Sequence, residues 1–318
     1  MNTLDKILEN VNNANSIVIL AHENPDGDAI GTSLALYNAL KMQGKENVDL
    51  IIPELPKTFS FLPGAEDIKT ESDVENYDLA IAIDCAALEM LNGWKKYFEN
   101  AKSTIVIDHH GTNTMYGDYN FVNPDAPACA EVMIVLLNYF NIDINKEIGT
   151  CLLTGIITDT GGFKYKGVTA ETFEFVAALL RKGVNVSDTY RKVLQVKTRS
   201  AFELTRIAND RLEFLDDGKI AFTYVTEEDL DKVNSVPGDH EGIVDIGRDI
   251  EGVEVSIFVR ANRHGKYKVS LRSNNKVNVA EIALLFGGGG HVKSAAFPTS
   301  ESIESIKEKI LREVRRSL

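Results

Sequence analysis

Eight residues of this 318-residue chain have types and spacing suited to chemistry at one polar centre. They are His22, Asp26 and Asp28 in H-E-N-P-D-G-D, Asp84, the run Asp108-His109-His110, and Asp159. The segments that carry them, 17–31, 79–88, 103–115 and 147–163, contain no Lys or Arg. If the fold gathers these carboxylates within a few Å, they cannot all stay ionised without a cation. Imidazole and carboxylate donors without thiolate favour Mn²⁺, with Mg²⁺ or another divalent ion also admitted. The spacing points to two ions. Pro25 keeps its segment out of a helix and Gly27 lets the chain bend, so Asp26 and Asp28 address different positions while His22 reaches back from a strand end. Asp84 is the natural bridging ligand, with Cys85 on the opposite strand face. Adjacent His109 and His110 diverge, one towards metal and one towards substrate. Two ions about 3.5 to 4 Å apart activate a bridging water and clamp the oxygens of a phosphoryl displacement. Taken singly, each piece also has a plain structural role: N-P-D-G-D as a turn with an Asp helix cap, Asp84 as a strand end, Asp159 as a helix-terminal turn residue. Their joint occurrence at four strand or helix ends carries the metal reading.

The elements that position these residues are legible as a pattern. SIVILAH, VDLIIP, YDLAIAIDCA and STIVIDHH are short unbroken apolar runs, as in strands buried on both faces of a parallel sheet. AIGTSLALYNALKMQG, ACAEVMIVLLNYF, EIGTCLLTGIITD and TAETFEFVAALLRKG have helical spacing. Strands alternating with helices predict a doubly wound α/β domain with a mainly parallel sheet. Its ligand site is expected outside the carboxyl ends of the strands, where seven of the eight residues fall, with Asp159 at the turn after a helical run.

Beyond Gly183, the stretch from Val184 to Leu215 has no Gly or Pro and predicts a long helix between two domains. The expected division is 1–190 for the first domain, 191–204 for a helical linker and 205–318 for a smaller α+β domain. In the latter, KIAFTYVT, VEVSIFVRAN and GKYKVSLRS read as hairpin-like strands and NVAEIALLF as a helix. The net charge of −13 argues against sequence-independent binding to long duplex DNA. Yet Val255 to Ala280 holds Arg260, Arg263, Lys266, Lys268, Arg272 and Lys276 and no acid, a candidate anion site. The remaining basic residues there, with His264, also fit a solvated hairpin. Gly287 to Gly290 precede His291. Val292 stands where a P-loop needs its last glycine, so that reading is rejected. The run is either a backbone cradle for an anion or a glycine helix cap leading into a strand. His291 and Arg272-Ser273 favour phosphate or nucleotide binding.

Composition closes off other classes. Hydrophobic residues at 44% and charged residues at 25% are ordinary for a globular protein. No apolar run spans a bilayer, and MNTLDKILENVNN lacks the basic and apolar order of a signal peptide. A cytoplasmic location without membrane partners is expected. Three cysteines without C-x-x-C spacing indicate neither a disulfide framework nor a thiolate zinc site.

The motif set His22-x-x-x-Asp26-x-Asp28, Asp84, Asp108-His109-His110 and Asp159 resembles the four motifs of the DHH phosphoesterases. GGGGH with SLRS resembles their DHH-associated C-terminal domain, and the layout is similar to the nanoRNase and pAp-phosphatase branch. The resemblance implies a dimanganese site in which His22, Asp26 and Asp84 hold one ion and Asp28, Asp84, His109 and Asp159 the other. It implies that His110 contacts the scissile phosphate or assists protonation of the leaving group, with Asp108 supporting it. Arg272, Ser273, Gly288, Gly289, Gly290 and His291 would grip the substrate across an interdomain cleft. The implied partners are short RNA, linear dinucleotides and 3'-phosphoadenosine 5'-phosphate; a homodimer is left open.

Three other readings compete. Family II inorganic pyrophosphatases share the N-terminal motifs but lack GGGGH. Cyclic di-AMP phosphodiesterases share the two-domain core but usually carry membrane and sensor segments. A noncatalytic nucleotide-binding regulator would not need the full ligand set.

Overall fold

The structure is a computed structural model that describes residues 3–262 and 265–318; Arg263 and His264 lie outside the described residues. The chain divides after Val196 into two compact units. The first begins with α1 (Thr3–Asn13), β1 (Ile17–Leu20), α2 (Gly27–Met42), β2 (Val48–Ile51) and β3 (Leu79–Ile83). It continues with α3 (Lys95–Glu99), β4 (Ser103–Asp108), β5 (Tyr119–Val122), α4 (Cys129–Tyr139), α5 (Lys146–Asp159), α6 (Ala170–Arg181) and α7 (Val186–Tyr190).

The five strands form one sheet in the order β2-β1-β3-β4-β5, parallel throughout. Ile17 stands beside both Val48 and Leu79, and Ile83 beside Ile107, so β1, β3 and β4 end near one another. Alternate residues of each strand enter two cores. Ile17, Ile19, Leu79, Ile81 and Ile83 pack against α1, α2, α4 and α5. Val18, Leu20, Ala80 and Ala82 pack against Tyr97 and Phe98 of α3 and Leu91 of the preceding 3-10 turn. Burial on both faces explains the unbroken apolar runs. The three cysteines are free and buried, and Cys85 lies in the second core, on the strand face predicted for it.

The single helix expected after Gly183 is interrupted. α7 runs into a π turn at Arg191–Gln195, and Val196 is extended (φ −77°, ψ 120°). α8 (Arg199–Asp210) then begins afresh, with Thr198 Oγ1 accepting from Ala201 N at 2.9 Å. A threonine that offers a cap and also donates to Asp239 outcompetes helix continuation. The second unit continues with β6 (Glu213–Leu215), β7 (Ile220–Val225), α9 (Glu227–Lys232), α10 (Ile243–Arg248), β8 (Val255–Ala261) and β9 (Tyr267–Ser273). It ends with α11 (Val279–Leu285), β10 (Gly289–His291), β11 (Ser294–Thr299) and α12 (Ile303–Ser317). Its sheet has the order β10-β11-β9-β8-β7-β6, antiparallel except for β7 with β8. α11 and α12 cover one face, and α8 and α10 the other. Among the described residues no helix is long and apolar enough to cross a membrane.

Candidate metal centre

The site is built from helix and strand ends. Asp26 caps α2: its Oδ1 accepts from Asp28 N at 2.9 Å and Ala29 N at 3.1 Å. The cap role read for N-P-D-G-D is therefore present, and the same carboxylate faces the cluster. Asp28, in the first turn of α2, is fully buried. Its Oδ2 accepts from Cys129 N, and its Oδ1 from Ala130 N at 3.0 Å and Thr32 Oγ1 at 2.9 Å. The N-terminus of α4 thus holds one side of an anion. Even so, burial and then the Asp159 charge push the Asp28 carboxyl up to about 8.

Asp84 follows β3 with φ of 52°, a left-handed conformation uncommon outside glycine. Its N–H still donates to Ile107 O at 2.9 Å, so the strand pairing continues while the backbone turns. Strain of this kind persists where surroundings enforce it, often at functional sites. Asp108, ending β4, is the opposite case: burial favours its neutral form, but bonds from His110 and Asn113 hold its pKa below the ordinary value. It accepts from His110 Nδ1 at 2.7 Å, His109 N at 2.8 Å and Asn113 Nδ2 at 2.6 Å.

The ligand atoms of His22, Asp26 and Asp84 lie within 4.8 Å of one another, as do those of Asp28, His109 and Asp159 and those of Asp84, His109 and His110. All seven residues are thus linked into one cluster, with Asp84 and His109 common to two groups each. His109 Nε2 is 3.2 Å from Asp159 Oδ2 and 3.5 Å from Asp84 Oδ1, but makes no hydrogen bond. Asp84 Oδ1 is likewise buried and unpartnered. Because the Ala126 carbonyl, 3.0 Å away, takes the His109 Nδ1 proton, a neutral ring turns the lone pair of Nε2 towards carboxylate oxygens. Acceptors facing acceptors in a buried place require either protons or a cation. Without a cation, burial opposes charge on His109 but Asp159 and Asp28 outweigh it, raising its pKa to about 9. Desolvation, followed by neighbouring carboxylates, also raises Asp26 and Asp84. The donor set and its orphaned atoms fit divalent metal.

Several parts of this site escaped the sequence reading: Thr32, Asn113, the Ala126 carbonyl, the first N–H groups of α4, and Gly155. A side chain at Gly155 would place Cβ 2.4 Å from Asp28 Oδ1. Interior glycines in otherwise good helices, here Gly31 and Gly155, are the available signal, since they ask for a packing reason. Gly31 is in such contact too, 2.5 Å from the Cys151 carbonyl on α5.

The structure treats the proposed anchors of the second unit unequally. Ser273 is turned into the core, with Oγ donating to Val277 O at 2.7 Å, so its hydroxyl closes a turn. Arg272 is half-buried on the opposite strand face, 3.3 Å from Asp245. Gly287 and Gly288 close α11 through bonds to Leu284 O and Ala283 O, and Gly289–His291 form β10, so the helix-cap alternative is realised. Gly288 and Gly290 are also packing glycines, whose added Cβ atoms would lie 2.2 Å from Ala296 O and 2.5 Å from Ser294 O. Gly289 has open space, and His291 is exposed.

Residues 16–156 match the DHH family N-terminal domain and residues 217–316 the DHHA1 domain. The chain is similar to the bifunctional oligoribonuclease and PAP phosphatase NrnA of Thermus thermophilus, at 34% identity over 95% of this chain and 90% of that one. A probable NrnA of Streptococcus mutans is 26% identical over 92% of each chain. The crystal structure of an exopolyphosphatase-related protein from Bacteroides fragilis superposes with a TM-score of 0.90 at 29% identity, covering 98% of this chain and 96% of that one. With both domain matches and an NrnA relative aligned along nearly its whole length, the chain belongs to the DHH phosphoesterases, in their NrnA-like branch.

Proposed function

We propose that this phosphoesterase is a manganese-dependent enzyme that hydrolyses short oligoribonucleotides, linear dinucleotides and 3'-phosphoadenosine 5'-phosphate. The observation that carries the metal reading is the pair of buried, unpartnered atoms His109 Nε2 and Asp84 Oδ1, set 3.5 Å apart among carboxylates. The activities printed in the names of the NrnA relatives support the substrate class.

His22, Asp26 and Asp84 would hold one ion, and Asp28, Asp84, His109 and Asp159 the other. Bound there, the ions supply Lewis-acid activation of water and neutralisation of phosphoryl charge. The chain's own residues do the rest. Ala126 fixes the His109 tautomer, and Asp108 fixes that of His110 by taking its Nδ1 proton, which leaves Nε2 for the substrate. Asp108 braces His110 through Nδ1, which suits the ring to protonate a leaving oxygen from Nε2. Asp108, held ionised by its three bonds, stabilises the charged ring. The second unit supplies substrate anchoring through Arg272 and His291.

A product time course with Mn²⁺ over 3'-phosphoadenosine 5'-phosphate, pApA, cyclic di-AMP, pyrophosphate and oligoribonucleotides of increasing length tests the reading. Turnover of the bisphosphate and of two- to five-residue RNA is expected. Release of phosphate from pyrophosphate alone, or turnover of cyclic di-AMP alone, would replace it with the corresponding rival activity.

A further inference from the structure

Just after Asp159 the backbone passes through three successive left-handed residues, Gly161 (φ 57°), Gly162 (φ 70°) and Phe163 (φ 70°). Glycine adopts this region freely, but a bulky residue in it is an outlier that its surroundings must enforce. Here they do. Phe163 packs against the first core, with its ring 5.5 Å from that of Phe173. Thr160 closes the turn: its carbonyl accepts from Lys164 N at 2.9 Å and Tyr165 N at 3.2 Å, and its buried Oγ1 accepts from Phe163 N at 3.0 Å. The far end of the loop is pinned as well, since a Cβ at Gly167 would lie 3.5 Å from the Pro127 Cβ. Pro127 follows Ala126, whose carbonyl holds His109. The loop therefore leaves the cluster at Asp159 and returns beside the anchor of His109.

This turn presents one ring. Tyr165 folds back over Gly161 so closely that a Cβ there would lie 2.5 Å from its Cζ, 2.8 Å from Cε2 and 2.9 Å from Cε1. Near-equal distances to three ring atoms mean that the ring lies flat on the glycine, which no other residue at 161 would admit. The opposite face is open, and Tyr165 is 48% exposed. Among the described residues no hydrogen bond or ring contact engages its side chain. Packing of Phe163 holds the turn, but it does not explain why a strained, doubly pinned loop sets an unpartnered aromatic face beside Asp159. Backbone strain of this kind clusters at functional sites and ligand clamps.

We propose that Tyr165 is a stacking shelf for one nucleobase of the substrate, next to the cluster that takes the scissile phosphate. This inference rests on the nucleotide reading above. Every base has a π-face, so stacking on an aromatic side chain binds nucleotides without reading their sequence. A single shelf also suits a mononucleotide bisphosphate and the end of a short RNA alike, since each brings one base within reach of the phosphate to be cleaved.

The probes are adenosine 5'-monophosphate and ribose 5-phosphate, which differ by the base, each titrated calorimetrically into the full-length chain in Mn²⁺. Tyr165→Leu keeps an apolar cover over Gly161 but has no π-face. It should raise the Kd of the monophosphate about 5- to 150-fold, equivalent to the about 1 to 3 kcal/mol of a base stacked on an aromatic ring, and leave that of ribose 5-phosphate unchanged. Tyr165→Phe should bind both probes like the wild type. Fluorescence of 2-aminopurine riboside 5'-monophosphate should be quenched on binding to the wild type and the Phe variant, but not to the Leu variant. A merely structural ring would instead lower the melting temperature and weaken both probes together. That result would overturn the shelf, as would a Leu variant that binds the monophosphate normally or a wild type that binds the two probes equally. Failure of the functional reading is separate: the wild-type enzyme would then leave short RNA and 3'-phosphoadenosine 5'-phosphate intact, whatever the titrations show.

Discussion

Replacing Gly155 by alanine sets two physical effects against each other. Helix propensity alone favours alanine in the interior of α5 by about 1 kcal/mol. The structure reverses the sign. The new Cβ would lie 2.4 Å from Asp28 Oδ1 and 2.8 Å from the Ala130 Cβ, well inside contact distance. Relief requires the carboxylate oxygen to move by about 1 Å, because ordinary Cβ contacts begin near 3.4 Å. That oxygen accepts from Ala130 N at 3.0 Å and Thr32 Oγ1 at 2.9 Å, and a shift of this size breaks at least one of these bonds. Overpacking costs about 1 to 3 kcal/mol, and a lost bond to a buried carboxylate about as much again, so net destabilisation of about 2 kcal/mol or more is expected. Since Asp28 is assigned to an ion, Mn²⁺ affinity should fall about 10- to 100-fold, the usual cost of disturbing groups behind a metal ligand. Calorimetric Mn²⁺ titration and thermal melting of Gly155→Ala read both. Gly93→Ala is the matched control, since nothing lies within 4 Å of its Cβ position. Wild-type metal affinity with unchanged or raised stability would refute the claim that this glycine makes room for the carboxylate.

Asp84→Asn should abolish hydrolysis of every substrate and lower Mn²⁺ content while the domain stays folded, because asparagine tolerates the left-handed backbone at φ 52°; near-normal turnover would remove Asp84 from the centre. Asp108→Asn should keep the metal but lower kcat about 10²- to 10⁴-fold, since His110 loses the carboxylate that orients its ring; a near-wild-type kcat would count against that role. In chelator, Asp28 titrates at about 8 and His109 at about 9, against ordinary values of 3.8 and 6.5. Between pH 6.5 and 8 the folded state therefore binds more protons than the unfolded one, and stability falls as pH rises, by about 1.4 kcal/mol per pH unit for each extra proton. The lowered pKa of His22 acts with opposite sign, chiefly below 6.5. Melting curves of the chelated protein should show this slope and saturating Mn²⁺ should flatten it; a melting temperature that climbs with pH in chelator would contradict the arrangement.

What the sequence by itself determined is local. A run such as YDLAIAID declares a strand buried on both faces, because solvent on either face would favour alternation. Strand ends that finish in Asp or His, in segments without Lys or Arg, declare an anionic centre, because the composition lacks its own counter-charge. The tertiary structure decided what depends on distant partners. The helix expected beyond Gly183 breaks at Val196 because Thr198 finds Asp239, forty-one residues away. Ser273 and Arg272 looked like a pair, yet one faces the core and the other leaves it, since strand parity has meaning only once α11 and α12 define an inside. The pairing of Arg260 with Lys268 rests on hairpin register, and the need for Gly155 on the approach of α2 to α5. Periodicity and residue chemistry are written along the chain, whereas register, parity and close approach arise only when the chain packs against itself.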